Sequence, residues 1–198
     1  MKIVAFTDTH NEIKYLNRVL RLSKKADIVL FLGDLSIFRE IDERIIKKLK
    51  QIPKLILMIH GNHDDFEMFK KIAASSHNIV FIHKKLFIFE DILFIGFGGG
   101  GFSLREPKFE SFIRKNKKEI TKFKKIVLMT HAPPKDSCLD ELEGVHFGNQ
   151  SFKSFLKKYS NKKILALSGH FHENEGKLCQ HGNITFCNPG PAGTLLEF

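Results

Sequence analysis

The chain has 198 residues, 42% of them hydrophobic and 27% charged, a composition that predicts one globular domain over residues 1–198. Its formal net charge of +10 comes from lysines spread along the sequence, so the charge by itself does not indicate a nucleic-acid-binding protein. No apolar stretch approaches the roughly 20 residues that span a bilayer, which excludes membrane insertion.

The cysteines bear on the cellular compartment. Cys138, Cys179 and Cys187 are odd in number and form no C-x-x-C pair. This pattern argues against a disulfide framework and against a thiolate zinc site, and it suits a reducing cytoplasm. The short apolar run at the N-terminus is broken by Asp8 and does not resemble a signal peptide. We therefore expect a soluble, cytoplasmic protein.

Short apolar runs alternate with segments of helical spacing along the first half of the chain. Strands are predicted at residues 2–7, 28–32, 55–59, 86–89, 92–96, 126–130 and 164–168. Helices are predicted before the second, third and last of these, and Pro53 ends the second helix. This order predicts a largely parallel sheet with covering helices. Residues 86–95, and 177–187 with 194–198, are typical of strands joined by short turns, so we expect an α/β fold with mixed sheets.

Polar residues follow five of these runs, at the point where each predicted strand ends. In open α/β sheets ligands bind beyond the carboxyl ends of the strands, so these side chains are expected to converge on one site. The five segments are Thr7-Asp8-Thr9-His10, Gly33-Asp34, His60-Gly61-Asn62-His63-Asp64, Thr130-His131 and Gly169-His170-Phe171-His172.

Carboxylate, amide and imidazole ligands without a thiolate suit a divalent metal such as Mn, Fe, Zn, Ni or Mg. A carboxylate can bridge two ions, and two ions about 3.5–4 Å apart can clamp both ends of a phosphoryl displacement. Asp-x-His and Gly-Asp are weak motifs when they stand alone, and Gly-Asn-His-Asp and Gly-His-x-His are moderately specific. Their joint occurrence in this order favours a dinuclear metal site.

The ordered motifs, together with the late turn Asn188-Pro189-Gly190, resemble those of the calcineurin-like metallophosphoesterase superfamily. The resemblance covers nearly the whole chain and is closest to the small archaeal and bacterial members without a cap domain. It implies a four-layer αββα sandwich, in which two mixed β-sheets lie between helices. It also implies two divalent metal ions whose identity the sequence leaves open.

Carried over position by position, the resemblance implies two ligand sets that share Asp34 as a bridge. The first metal would be held by Asp8, His10, Asp34 and His172, and the second by Asp34, Asn62, His131 and His170.

His63 corresponds to the family's histidine that stabilises or protonates the leaving oxygen, a role that an imidazole can perform near neutral pH. Its neighbour Asp64 is the candidate partner that would orient it. The sequence departs from the protein serine/threonine phosphatases, which extend Gly-Asp with Asp-Arg-Gly, because here Leu35 and Ser36 follow Asp34. This departure argues against a phosphatase of proteins.

Two loops supply candidate substrate contacts. Gly98 and Gly99 belong to a glycine run that could let a substrate approach the backbone, although the run lacks the Gly-Lys-Ser/Thr ending of a P-loop. His146 resembles a loop histidine of some small members of the superfamily.

The resemblance implies hydrolysis of phosphate mono- or diesters by in-line attack of a hydroxide that bridges two metals. The expected partner is a small phosphoester substrate, and the oligomeric state stays open. A metal-dependent nuclease is the alternative enzyme, suggested by the basic charge but lacking an added DNA-binding segment. A non-catalytic metal-binding scaffold of the same fold is the third hypothesis, and the presence of His63 argues against it.

Overall fold

A computed structural model describes residues 1–38 and 40–198 of the chain. The strands, in chain order, are β1 (Lys2–Phe6), β2 (Ile28–Phe31), β3 (Ile56–Met58), β4 (Ile79–Phe81), β5 (Lys85–Phe89), β6 (Ile92–Phe97), β7 (Lys125–Thr130), β8 (Glu141–Leu142), β9 (Val145–His146), β10 (Lys163–Leu167), β11 (Leu178–His181), β12 (Ile184–Cys187) and β13 (Thr194–Glu197). The helices are α1 (Ile13–Ser23), α2 (Glu43–Lys50), α3 (Phe66–Ala74), α4 (Pro107–Lys115), α5 (Lys117–Lys122) and α6 (Gln150–Lys158).

The first sheet has the strand order β13-β1-β2-β3-β4. Strands β1 to β4 are parallel, and β13 pairs antiparallel with β1 at the edge. Helices α1, α2 and α3 connect the successive parallel strands, as expected for β-α-β units. The side chains of Asp42 and Asp65 begin α2 and α3 by accepting hydrogen bonds from backbone amides of the first turn.

The second sheet has the order β11-β12-β10-β7-β6-β5. Its four central strands are parallel, and the two edge strands return antiparallel as hairpins. Helices α4, α5 and α6 cover its outer face through residues such as Phe109, Ile120 and Phe152. A separate two-stranded hairpin, β8–β9, lies between β7 and α6 in the sequence.

The core lies in three apolar layers, because the central strands are buried on both faces. In β1, Ile3 and Ala5 pack between the two sheets, whereas Val4 and Phe6 pack under helices α1 to α3. This burial on both faces explains why the strands appear in the sequence as continuous apolar runs rather than as alternating ones. The four-layer αββα sandwich is thereby confirmed.

The structure also corrects parts of the predicted layout. The sequence patterns predict no element at strand β4, helices α3, α4 and α5, or hairpin β8–β9. The predicted strand region 177–187 is a hairpin in the second sheet, whereas β13 crosses to the first sheet and pairs with β1. Among the described residues, no helix is long and apolar enough to cross a membrane.

The expectation about the cysteines is wrong in one respect. Cys138 and Cys179 form a disulfide between the loop that follows β7 and the edge strand β11, while Cys187 is a free, buried thiol. An odd cysteine count leaves room for one bridge, and no spacing motif reveals a pair that is 41 residues apart. The cysteines therefore no longer support the prediction of a reducing compartment.

Candidate metal centre

The predicted ligands from the first and last motifs lie together at the carboxyl ends of β1 and β10. Ligand atoms of Asp8, His10 and His172 lie within 4.8 Å of one another. The Nε2 atoms of His10 and His172 are 3.3 Å apart, and His172 Nε2 is 3.8 Å from Asp8 Oδ1. Two imidazole nitrogens that face each other beside a carboxylate form a pocket of donors suited to a cation.

A second group forms at the ends of β2 and β7. Ligand atoms of Asp8, Asp34 and His131 also lie within 4.8 Å of one another. His131 Nε2 is 3.3 Å from Asp34 Oδ2 and 3.0 Å from Asn62 Oδ1, so Asn62 joins this group. Asp8 is the residue that the two groups share. The assignment of the bridge to Asp34 stays a prediction.

The hydrogen bonds of these ligands leave their metal-facing atoms available. The Nδ1 atoms of His10 and His131 lie 3.1 and 3.0 Å from the backbone oxygens of Ser36 and Leu32. Donation from Nδ1 to these carbonyls leaves the Nε2 atom of each ring facing the site, where it can bind a metal. Asp8 Oδ1 and His170 Nε2 are buried and have no hydrogen-bond partner among the described residues. Buried polar atoms are almost always paired, so two unpaired acceptors here fit bound cations.

The electrostatics of the second group agree with a cation site. Burial acts to lower the pKa of His131, but the Asp34 and Asp8 carboxylates outweigh it and raise that pKa to about 9. Burial acts to raise the pKa of Asp34, whereas His131 lowers it to about 2. Burial and the nearby His131 lower the pKa of His170 to about 4, so His170 is neutral at pH 7 and can act as a ligand. A divalent cation bound between these carboxylates and His131 would replace the His131 proton.

The backbone turns sharply at the strand ends that carry these residues. Asp8, His10, Asp34 and His170 adopt the left-handed conformation, with φ values of 52°, 42°, 57° and 69°. Such φ values are uncommon for residues other than glycine, although Asp and His tolerate them better than most. The strain is typical of functional sites, where the surrounding structure holds the ligands in position.

The motif glycines have two different roles. Gly33 has a φ of +103°, so it makes a sharp turn that other residues rarely adopt. Gly61 and Gly169 do not have positive φ values, and they are required for space instead. A Cβ atom at Gly61 would lie 2.0 Å from Asp34 Oδ1, and one at Gly169 would lie 2.2 Å from Asp8 Oδ2. These two glycines therefore let the ligand carboxylates approach the neighbouring backbone.

Asp64 is buried and holds the strand-end loops together. Its Oδ2 accepts hydrogen bonds from the Asp34 and Gly61 amides at 2.7 and 2.8 Å. Its Oδ1 accepts them from the Ser36 amide and hydroxyl at 3.0 and 2.9 Å. None of these bonds involves the His63 ring, and together they position the loops. That Asp64 also orients His63 stays a prediction.

We expect Asp64→Ala to lower the free energy of unfolding by about 3–5 kcal/mol, because it leaves several buried donors without an acceptor. Urea unfolding followed by circular dichroism measures the change. Asp65→Ala is the matched control, since it removes only the N-cap of α3 and is expected to cost about 1 kcal/mol. Equal losses in the two variants would contradict the role of Asp64.

His63 lies beside the first group of ligands without belonging to it. Its backbone amide donates to Asp34 Oδ1 at 2.9 Å, and its ring centroid lies 5.6 Å from that of His10. The ring of Phe38 packs edge-on against His63 at 5.3 Å between centroids. Phe38 is 78% exposed and has a φ of +47°, so sequence patterns gave no signal for its place at the site.

The candidate substrate residues lie outside the two ligand groups. The amide of Gly99 donates to the His60 carbonyl, and a Cβ atom at Gly98 would lie 2.4 Å from that oxygen, so both glycines pack on His60. His146 Nδ1 lies 2.8 Å from Asp140 Oδ1, and this contact raises the pKa of His146. His146 thus supports hairpin β8–β9, and its contact with substrate stays a prediction.

A cavity of about 290 Å³ opens over the ligands. Besides the histidines and Asp34, it is lined by Phe171 and by three residues outside the predicted motifs, Phe102, Leu142 and Glu173. Phe102 comes from the loop after β6 and Leu142 from hairpin β8–β9. These two residues add apolar surface to the cavity lining.

Comparisons with known proteins agree with this architecture. The model of the calcineurin-like phosphoesterase family matches residues 1–174. The chain therefore belongs to the calcineurin-like phosphoesterases, a family of phosphoester hydrolases. Among curated protein sequences, none matches significantly.

Solved structures share the fold at low sequence identity. A protein of Thermus thermophilus is 16% identical with a TM-score of 0.75, over 96% of this chain and 90% of that one. A phosphopantetheinyl hydrolase of Mycobacterium tuberculosis is 10% identical with a TM-score of 0.61, over 96% and 88% of the two chains. An archaeal phosphodiesterase is 16% identical with a TM-score of 0.52, over 96% and 84%. At these identities the similarity establishes the fold alone.

Proposed function

We propose that the protein is a single-domain, dinuclear metal-dependent hydrolase of phosphate mono- or diesters, with a small phosphoester as its substrate. The observation that carries the proposal is the convergence of ligand groups at the strand ends, where Asp8 Oδ1 and His170 Nε2 are buried and have no hydrogen-bond partner within the part of the chain that the structure describes. Family membership supplies the reaction class. The number of metals, their identity and the substrate belong to the proposal.

The seven ligands would be Asp8, His10, Asp34, Asn62, His131, His170 and His172. When bound, two divalent cations would supply positive charge for the phosphoryl oxygens and activate water as the nucleophile. The chain's own contribution is preorganisation. Backbone carbonyls orient His10 and His131, Asp64 fixes the loop that carries Asp34, and Gly61 and Gly169 leave room for the carboxylates.

His63 would serve the leaving group. The His63 amide is hydrogen-bonded to Asp34, which holds the His63 ring at the edge of the ligand groups. The ring also contacts His10 and Phe38. From there it can give a proton to a departing ester oxygen. A scaffold would have no use for this residue, which is why an enzyme is proposed. Location in the cytoplasm remains a prediction, and the Cys138–Cys179 disulfide means that the cysteine pattern no longer supports it.

The test is a metal panel. Protein stripped with a chelator should hydrolyse neither 4-nitrophenyl phosphate nor bis(4-nitrophenyl) phosphate, and Mn²⁺, Ni²⁺, Zn²⁺ or Mg²⁺ added singly should restore turnover with at least one ion. Isothermal titration calorimetry should give two bound ions per chain. Failure of every ion to support turnover of either ester would overturn the proposal.

A further inference from the structure

The loop after β6 presents an aromatic ring to the metal centre. Phe102 lies edge-on to His170 with 4.6 Å between ring centroids, and 5.7 Å from the ring of Phe171. It nevertheless remains 66% exposed. A large apolar side chain that contacts a ligand histidine and is otherwise open to solvent has room for a further apolar group against its free face.

The loop is anchored at both ends, so the ring is held in position. The Gly99 amide donates to the His60 carbonyl at 2.8 Å on one side of the turn. The Asn149 side chain donates to the Ser103 carbonyl at 2.6 Å on the other side, and the Ser103 amide closes the turn onto Gly100 at 2.9 Å. Contacts that are built on a fixed loop can discriminate between substrates.

The cavity is divided between polar and apolar surfaces. Its polar lining residues are His10, Asp34, His63, His170, His172 and Glu173, and its apolar ones are Phe102, Leu142 and Phe171. The histidines and the proposed metals suit the phosphoryl group, which monoesters and diesters share. A diester brings a second ester substituent, and an apolar substituent can lie against the apolar residues.

Phe38 and Phe102 contact different histidines. Phe38 packs on His63, the proposed leaving-group residue, whereas Phe102 packs on His170, a proposed metal ligand. If His63 serves the leaving group, the departing group would lie beside His63. The group beside Phe102 would then be the one that stays on phosphorus.

We infer that Phe102 determines specificity for phosphodiesters whose retained ester group is aryl or another planar apolar group. The inference rests on the proposed function and deepens it, because it names the substrate class of the same site. Phe102 acts by contact with the substrate and takes no part in bond making.

Two diesters with one leaving group test the inference. Phenyl 4-nitrophenyl phosphate and methyl 4-nitrophenyl phosphate release the same nitrophenolate and differ only in the retained group. Phe102→Ala should lower the ratio of their kcat/KM values about tenfold, as expected when one aromatic contact is lost. Comparing ratios between variants removes the intrinsic difference in reactivity between the two esters.

Leu104→Ala is the matched control. Leu104 lies on the same loop and is 65% exposed, but it does not line the cavity. Its substitution should leave the ratio unchanged. An unchanged ratio in Phe102→Ala, or an equal fall in both variants, would overturn the inference while leaving the proposed function intact.

A binding measurement distinguishes failure of the inference about Phe102 from failure of the proposed function. Calorimetric titration of the Mn²⁺-loaded protein with diphenyl phosphate and with dimethyl phosphate needs no turnover. Phe102→Ala should weaken the binding of diphenyl phosphate relative to dimethyl phosphate by about tenfold. If the wild-type protein hydrolyses no ester but shows this selectivity, the proposed function fails and the inference about Phe102 stands. If the wild-type protein hydrolyses esters but shows no such selectivity, the proposed function stands and the inference about Phe102 fails.

Discussion

Replacing Asp34 by Asn should abolish metal-dependent hydrolysis, with kcat/KM falling about 10³-fold, because several kcal/mol of charge stabilisation depend on an intact metal centre. Asp34 lies against His131, its carboxylate is held ionised, and its Oδ1 also receives the His63 amide. Asn preserves the shape and that hydrogen bond but removes the negative charge. The defect should therefore appear in metal binding rather than in folding.

The measurement pairs kcat/KM for bis(4-nitrophenyl) phosphate with calorimetric titration of Mn²⁺. We expect Asp34→Asn to lower the number or the affinity of bound ions while its circular dichroism spectrum without metal stays that of the folded wild type. Asp91→Asn is the matched control, since Asp91 forms an exposed ion pair with Lys125 away from the ligand groups. A variant at Asp34 that bound two ions and kept wild-type turnover would show that Asp34 is not a ligand.

Replacing His63 by Asn should lower turnover by about 10²–10⁴-fold without changing metal binding, the range expected when a general acid is lost. The size of the loss should depend on the leaving group. Nitrophenolate departs with little help, whereas phenolate and alkoxide need a proton, so the loss should be smallest for nitrophenyl esters and largest for alkyl esters.

A series of aryl and alkyl phosphodiesters of increasing leaving-group pKa measures this dependence. His77→Asn serves as the control, because His77 lies in the turn between α3 and β4, away from the ligand groups. An equal loss across the series would mean that His63 positions the substrate instead of protonating the leaving oxygen. Loss of bound metal would place it among the ligands.

The fold and the ligand groups follow from the sequence because both depend on local patterns. Strands that are buried on both faces appear as continuous apolar runs, and the carboxyl ends of parallel strands meet at one edge of a sheet. Asp8, Asp34 and His131 are separated widely in sequence, yet each closely follows such a run. The resemblance to a known family then supplied the roles.

The remaining features depend on contacts between distant loops, which carry no local pattern. The role of Asp64 was not predictable from the sequence. The four groups that donate to it belong to Asp34, Ser36 and Gly61, and these residues come together around its carboxylate only in the folded chain. Phe102 appears in the sequence as an ordinary apolar residue after glycines, and only the anchored turn places it over His170. The bridge between Cys138 and Cys179 likewise joins segments that meet only in the folded chain.

That bridge closes residues 138–179 into a covalent ring, which contains β10 together with His170 and His172. A protease that cuts the backbone once between the two cysteines opens the ring but does not release a fragment. The piece that carries His170 and His172 stays joined to the piece that carries Asp8, His10, Asp34, Asn62 and His131. A molecule cut between residues 138 and 170 thus keeps all seven ligands in one covalent unit until the disulfide is also reduced.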